Sequence, residues 1–300
     1  MGATTTNSVA SSIATEWDKE MVIENRESQV LLPSVDMQPL VASGTRDITR
    51  LATTASLASI SNGVNEADAG VADTLSTTNA QIRPNARALF VLSSWVMQAQ
   101  SAVNWAQAIP GILGRAAAED MESAAFALLG GFSRVADRSG LPNTLQNMLR
   151  APTQLRIGSL SNAALGPICF VHDNQMADLD AENTSGVGVG LSPMLTRQDV
   201  MNVYGASPGS GLVQNFRGSV GSNIPIFVST LVTNDGTNYD GAIILPKQAL
   251  AGAYNWLATM GSASRAVVME LADVEFVSQC YAMGEKNDSK GVTIRSRVTA

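Results

Sequence analysis

Residues 43–92 constrain this chain more than any other stretch, because they alternate like strands yet carry little with which to build a core. Gly44-Thr45-Arg46-Asp47-Ile48-Thr49-Arg50-Leu51 alternates in a strand-like way. About thirty residues rich in Thr, Ser, Ala, Asn and Gly follow, with a turn signal at Asn62-Gly63. A second run, Thr77 to Leu92, contains Gln81-Ile82-Arg83 and the apolar Ala88-Leu89-Phe90-Val91-Leu92. Two extended segments joined by polar turn material predict a long hairpin. Its tip has almost no large apolar side chains, so it cannot serve as a core element. It must reach over something else.

The composition agrees. Only 15% of the 300 residues are charged, against about a quarter in ordinary soluble domains. Four are lysines: Lys19, Lys247, Lys286 and Lys290. A monomer keeps itself soluble with interspersed charge, so much of this surface is expected to lie against other protein. The apolar share of 45% excludes a disordered chain. A net charge of −7 argues against a nucleic-acid binder. The length suits one large domain or two modest ones, with no need of disulfide or metal staples. Cys169 and Cys280 sit in apolar strand-like runs and read as buried thiols in a reducing compartment. The start, Met1-Gly2-Ala3-Thr4-Thr5-Thr6-Asn7, lacks the pattern of a signal peptide, which argues against a surface adhesin; its match to a myristoylation signal is superficial. Ala88 to Gly114 carries no charge, but Gln98, Gln100, Asn104, Gln107 and Pro110 make it a buried or interface segment rather than a membrane span.

Along the chain, residues 1–15 read as a flexible tail. Ile13, Trp17, Met21 and Val22 suggest a short amphipathic helix, which Pro33 and Pro39 break into an extended arm. The clearest helix has a stripe of Ile109, Ile112, Leu113, Ala116, Ala117, Met121, Ala124, Ala125, Leu128, Leu129 and Phe132. Pro110 stands near its start, Gly130-Gly131 near its end, and Arg115, Glu119, Glu122 and Ser123 fall on the opposite face. A second helix is predicted from Leu145 to Leu155. Strands are predicted at Ile168 to Val171, Ile224 to Val232, Ala242 to Leu245, Ala266 to Leu271, Val274 to Tyr281 and Val292 to Val298. A helix at Lys247 to Met260, with Leu250, Tyr254 and Leu257, interrupts them. The fold class is α+β.

No catalytic constellation survives inspection. His172 is the only histidine and reads as structural. Gly205-Ala206-Ser207-Pro208-Gly209 matches a nucleophile elbow by letters. Pro208, however, has no N–H for an oxyanion, and no histidine follows Ser207. A hydrolase using Ser207, or the acids between 173 and 182, is therefore the weaker alternative. Asp178-x-Asp180-x-Glu182 has Asn183 where a calcium loop needs glycine and Val189 where it needs glutamate, so it reads as an acidic turn. Gly186-x-Gly188-x-Gly190 lacks the Lys-Ser/Thr of a phosphate loop. Glu119 and Asp120 are expected on a solvated or partner-facing side. No catalytic, cofactor-binding or metal residue is assigned, no cofactor is expected, and the chain is not read as an enzyme.

The order of elements resembles the major capsid proteins of tailed bacteriophages, with the Hong Kong 97-type fold. The resemblance rests on Glu16-Trp17-Asp18-Lys19-Glu20 followed by Gly44-Thr45-Arg46-Asp47-Ile48, and on Arg115-Ala116-Ala117-Ala118-Glu119-Asp120 through Leu129-Gly130-Gly131. It rests equally on Val220-Gly221-Ser222-Asn223-Ile224-Pro225-Ile226-Phe227-Val228-Ser229, on Gly241-Ala242-Ile243-Ile244-Leu245-Pro246-Lys247-Gln248-Ala249-Leu250, and on Gly291-Val292-Thr293-Ile294-Arg295. It implies an N-terminal arm at 1–42, an extended loop at 43–92, a peripheral domain at 93–175 and 255–300 with a long spine helix, and an axial domain at 176–254. It further implies self-assembly into pentamers and hexamers of an icosahedral head enclosing double-stranded DNA, assembled in the host bacterial cytoplasm and located in the virion. Scaffold, cement or decoration, and portal proteins are the other expected partners, with no membrane. A cargo-enclosing nanocompartment shell of the encapsulin kind shares the fold and is the alternative. Some members crosslink a loop lysine to an asparagine, but no lysine lies between Lys19 and Lys247, so a non-covalent shell is expected. The net charge predicts a neutral or acidic lumen.

Overall fold

Continuous apolar runs in the second half of the chain form the centre of the molecule. The computed structural model describes residues 29–40, 50–56, 76–94, 105–155, 166–184, 191–192, 199, 201–202, 210–220, 224–267 and 270–298. The strands are β1 (Asp36–Pro39), β2 (Arg50–Ser56), β3 (Ser76–Ile82), β4 (Asn85–Ser94), β5 (Val135–Arg138), β6 (Ile168–Val171), β7 (Leu191–Ser192), β8 (Phe216–Val220), β9 (Ile224–Val228), β10 (Asn238–Ile244), β11 (Leu250–Val267), β12 (Glu270–Glu285) and β13 (Gly291–Arg297). The helices are α1 (Trp105–Phe126), α2 (Leu145–Gln154), α3 (Asp173–Thr184) and the short α4 (Gly211–Gln214). A mixed seven-stranded sheet runs β5-β13-β10-β6-β9-β8-β7, a four-stranded sheet β1-β11-β12-β4, and β2 pairs only with β3.

The seven-stranded sheet is apolar on both faces, as a sheet covered on both sides must be. Ile168, Phe170, Phe227, Ala242 and Ile244 point into one core with Phe126, Leu129 and Phe132. Their neighbours Cys169, Val171, Ile226, Val228 and Ile243 point into the other, which α2 fills with Leu145, Met148 and Ala151 and α3 with Met176 and Leu179. The Phe126 ring meets Phe170 edge-on at 6.1 Å, and Phe170 stacks on Phe227 at 5.7 Å. Gly291 starts β13 beneath the Phe132 ring, where an added Cβ would overlap the ring atoms.

Several expectations change. Lys247 to Met260 is not a helix: a turn at 246–248 leads into β11, which pairs antiparallel with β12 from Leu250↔Glu285 to Val267↔Glu270 and parallel with β1. Register shifts between Tyr254 and Thr259 disturb the period of two, and this leaves Leu250, Tyr254 and Leu257 at a helix-like spacing. The small residues serve close packing instead; Gly252 lies against Met37 and Gly261 under Phe276. Ala266 pairs with Leu271, so that predicted strand is divided between β11 and β12. The acids 178–182 are not a turn but lie within the helix α3, from which Asp178 accepts Asn143 N–H (3.0 Å) and Glu182 accepts Leu145 N–H (2.6 Å). The predicted hairpin is met only in part: β2 and β3 pair from Arg50↔Ile82 to Ser56↔Ser76, but the stretch from Asn85 to Leu92, predicted in its second arm, belongs to β4 and pairs with β12, whose apolar residues offer it a sheet to join. The hairpin's turn at Asn62-Gly63 and the helix expected around Trp17 lie outside the described residues.

Helix α1 ends at Phe126, with a separate 3₁₀ turn at Leu129–Gly131, and Pro110 sits inside it rather than in its first turn. Its buried stripe is Ile109, Leu113, Ala117, Ala118, Met121, Glu122, Ala125 and Phe126. That is the predicted stripe turned by about one residue, roughly 100°. Ile112 comes out to solvent, and Glu122 goes in.

Candidate assembly surface

Two carboxylates on α1 hold neighbouring elements, one the arm and the other β4 and β12. The first is Glu122, fully buried. Its Oε1 accepts the backbone N–H of Val30 (2.6 Å), Leu31 (3.0 Å) and Leu32 (3.1 Å), and Leu31 N–H also reaches Oε2 (3.1 Å). Buried backbone donors must find acceptors, and this carboxylate supplies them where the arm enters the core. Burial is the dominant influence on it and pushes its pKa up to about 7, while the three N–H groups pull the other way. The arm is not merely polar: Val30, Leu31, Leu32 and Val35 are all buried. Beyond them Asp36 pairs with Lys286 Nζ (2.8 Å), and Lys247 adopts a left-handed backbone (φ 60°) with its N–H on Ser34 O (2.6 Å).

The second is Asp120, two residues earlier on the same helix. Its Oδ2 accepts from the Tyr281 hydroxyl (2.7 Å) and from Gln279 Nε2 (2.8 Å). Its Oδ1 accepts from Arg87 (2.7 Å), whose guanidinium also lies 5.0 Å over the Tyr281 ring. Arg87 is on β4, three residues past the bend that follows the β2–β3 hairpin. Burial and the Asp120 carboxylate both raise the Tyr281 pKa, so its hydroxyl stays protonated and donating. A cavity of about 270 Å³ opens beside this cluster, between α1 and β4, walled by Leu89, Ala116, Ala117 and Val277.

The sheet carrying this cluster has one edge of unusual character. β4 is its outer strand and leaves Leu89, Phe90 and Leu92 exposed, Phe90 by 64%. Ile112, Trp256 and Leu257 add further exposed apolar side chains. Ile109, Leu113 and Ala117 of α1 cover the sheet face that bears Val277. On the other face the Phe90 and Phe276 rings meet at 5.9 Å. Apolar groups concentrated on an edge strand mark a contact surface rather than a solvated one.

The described residues among those singled out for chemistry do not converge. Ser207 and the glycines 186, 188, 190, 205 and 209 lie outside the described residues. His172 accepts Asn174 N–H through Nδ1 (3.1 Å) and stacks on Tyr239 at 3.9 Å; burial lowers its pKa. Cys169 and Cys280 are free and buried, in separate sheets, and burial raises both thiol pKa values. Among the described residues no group of three or more His, Cys, Asp or Glu is placed to hold a metal, and no helix is long and apolar enough to cross a membrane. Glu122 was missed because its stripe was read one residue out of phase, yet Ala118 and Phe126, four residues to either side, are both apolar. Arg87, Gln279 and Tyr281 carry no local signal; only the fold assembles them.

No family model matches this chain, and no curated protein matches its sequence. Solved structures do. The head structure of Helicobacter pylori bacteriophage KHP40 is similar with a TM-score of 0.66 at 10% identity, covering 91% of each chain. The capsid structure of cyanophage P-SCSP1u is similar with a TM-score of 0.63 at 12% identity, over 90% of this chain and 88% of that one. The holo-SrpI encapsulin complex from Synechococcus elongatus is similar with a TM-score of 0.58 at 12% identity, over 90% and 88%. The chain has the capsid-protein fold of the Hong Kong 97 type, α+β in class.

Proposed function

We propose that this chain is the structural subunit of an icosahedral bacteriophage head, a major capsid protein without enzymatic activity. The observation that carries this reading is the β2–β3 hairpin, which joins neither of the larger sheets of its own protomer. Its root is packed through Ile82 on Ala251 and Ala253, but a two-stranded hairpin is marginal in water on its own, so the part beyond needs a neighbouring copy to lie on. The exposed apolar edge of β4 and the low charge content support the same conclusion. In this reading residues 1–42 are the arm, 43–92 the extended loop, 93–175 and 255–300 the peripheral domain and 176–254 the axial domain. The axial part contributes β7 to β10 of the seven-stranded sheet, and the peripheral part adds β5, β6 and β13.

The subunits form pentamers and hexamers around double-stranded DNA, in the host bacterial cytoplasm and then in the virion, with scaffold, cement and portal proteins as further partners. The acidic net charge favours a lumen without strong attraction for the genome. Electron micrographs of the purified protein test the reading: closed shells are expected, and dispersed protomers under every assembly condition would refute it. The similarity to the SrpI encapsulin supports a second reading, a nanocompartment shell; an enzyme rather than DNA inside native particles decides for it. With no lysine between Lys19 and Lys247, the shell is held by non-covalent contacts. Mature particles should run as single chains in denaturing electrophoresis, and a ladder of covalent multimers would overturn that.

A further inference from the structure

His172, the only histidine in the chain, stands where helix α3 begins. Its Nδ1 accepts the backbone N–H of Asn174 (3.1 Å), and its own backbone N–H donates to Oε1 of Gln175 (3.0 Å). This reciprocal pair is a capping box, with an imidazole in the place usually taken by Ser, Thr, Asp or Asn. The surroundings hold both members in position. The imidazole lies against the Tyr239 ring, 3.9 Å away and 11° from parallel, and Asn174 Nδ2 donates to the hydroxyl of that tyrosine (3.0 Å). Gln175 is fully buried, and its Nε2 donates to Ser296 Oγ (2.9 Å). The charged and titratable groups on the surrounding elements are few. On α3, Asp173 is exposed and is the one carboxylate that favours a protonated ring. On β10, next to Tyr239, Asp240 is held by Arg295 of β13. After β9, Ser229 donates its N–H to Val171 O and does not titrate.

We propose that His172 is a proton-sensitive N-cap, which holds the first turn of α3 while its ring is neutral and lets go of the Asn174 N–H when the ring is protonated. The usual capping side chains keep an acceptor near neutral pH, whereas an imidazole caps only while Nδ1 is bare. Protonation turns that acceptor into a donor facing the Asn174 N–H. It also places a positive charge at a helix N-terminus, where the macrodipole is already positive. Burial acts in the same sense and lowers the ring's pKa from its ordinary 6.5, with Asp173 opposing. The capped ring thus has the lower pKa, so the cap contributes fully above 6.5, and its contribution is lost as pH falls below that value. The ceiling is what one N-cap contributes, roughly 5-fold in the opening equilibrium of the first turn. The rest of α3 stays anchored through Met176 and Leu179, so the proton sets how often this turn frays.

The inference does not depend on the shell reading. Glu122 on α1 and Glu285 on β12 also have raised pKa values, so the readout must be local to α3. Amide hydrogen exchange of residues 172–176 in the full chain, corrected for intrinsic rates and compared between pH 5.5 and 8 in one assembly state, tests it. The opening constant should be roughly 4-fold larger at pH 5.5, while the amides of Val292–Ile294 in β13 show no such change. In His172→Asn, which caps without titrating, the pH dependence should vanish. In His172→Ala, which has no cap, the turn should open more at both pH values and again without pH dependence. Exchange of the imidazole C2 proton, which only one histidine can supply, should titrate below 6.5. An opening constant that is flat or falls on acidification in the unaltered chain overturns the proposal. So does an unchanged dependence in His172→Asn, and so does a ring that titrates above 6.5. Should the variants fail to fold, the exchange profile and the ring titration of the unaltered chain decide.

Discussion

Asp120 makes one contact that looks strong and two that are strong, and a double-mutant cycle separates them. The ion pair to Arg87 is short (2.7 Å), but its side chains are 50% and 39% exposed, and exposed pairs contribute only about 0–1 kcal/mol. The Tyr281 hydroxyl, on a residue only 2% exposed, donates to the same carboxylate, and hydrogen bonds to charged groups contribute about 1.5–3 kcal/mol. Asp120→Ala should therefore destabilise the protomer by roughly 2–4 kcal/mol, because it also deprives Gln279 Nε2 of its shorter bond. Paired with Tyr281→Phe, it should show a coupling of about 1–2 kcal/mol; paired with Arg87→Ala, less than about 1 kcal/mol. The measurement is urea unfolding under conditions where the chain sediments as a protomer. The Arg87 coupling should also fade in 1 M salt while the Tyr281 coupling persists. An Arg87 coupling larger than that of Tyr281 would show that charge, not the buried hydroxyl, holds β4 to α1.

Other parts of the structure give further expectations. Arg295 holds Asp240 through two bonds (2.6 and 3.0 Å), so Arg295→Ala leaves a nearly buried carboxylate unpaired. Thermal unfolding should register a loss of about 2–4 kcal/mol, and Asp240→Asn in the same chain should recover part of it. Gly291→Ala should cost roughly 1–3 kcal/mol by overpacking against Phe132. Phe132→Leu should relieve part of that cost in the double variant, an outcome that denaturant midpoints can read. Cys169 should resist a thiol reagent at pH 8 until the chain unfolds, because it is fully buried and burial raises its pKa.

What was legible in the sequence was local. β6, β9 and β10 announce themselves as apolar runs, and α2 through Leu145, Met148 and Leu155, which are buried, although Leu149, read with them, is exposed. What was not legible depended on distant partners. β11 reads as a helix until β12 and β1 take up its backbone hydrogen bonds, and its glycines make sense only once Met37 and Phe276 lie across them. The acids of α3 look like a turn until Asn143 and Leu145 turn their N–H groups toward them. The hairpin was readable in part: β2 and β3 pair as their alternation suggested, while the apolar Ala88–Leu92, read as its second arm, is drawn into the four-stranded sheet by β12.

Glu119, Asp120 and Glu122 are chemically close and within one helical turn, yet they are exposed, partly covered and fully buried in that order. Successive helical positions differ by about 100°, so phase alone decides which acid meets water, which meets Tyr281 and which meets the arm. Helix phase is set by what packs on the helix, here the arm and β12. The two carboxylates and the elements that they hold therefore fix one another. The buried Leu113, Met121 and Phe126 resist a rotation of α1 by their shape. Three N–H groups converging on one carboxylate make that rotation more expensive still, since each would lose its acceptor in a buried place. Glu122 thus adds to the packing that holds the phase in which Asp120 meets Arg87 and Tyr281.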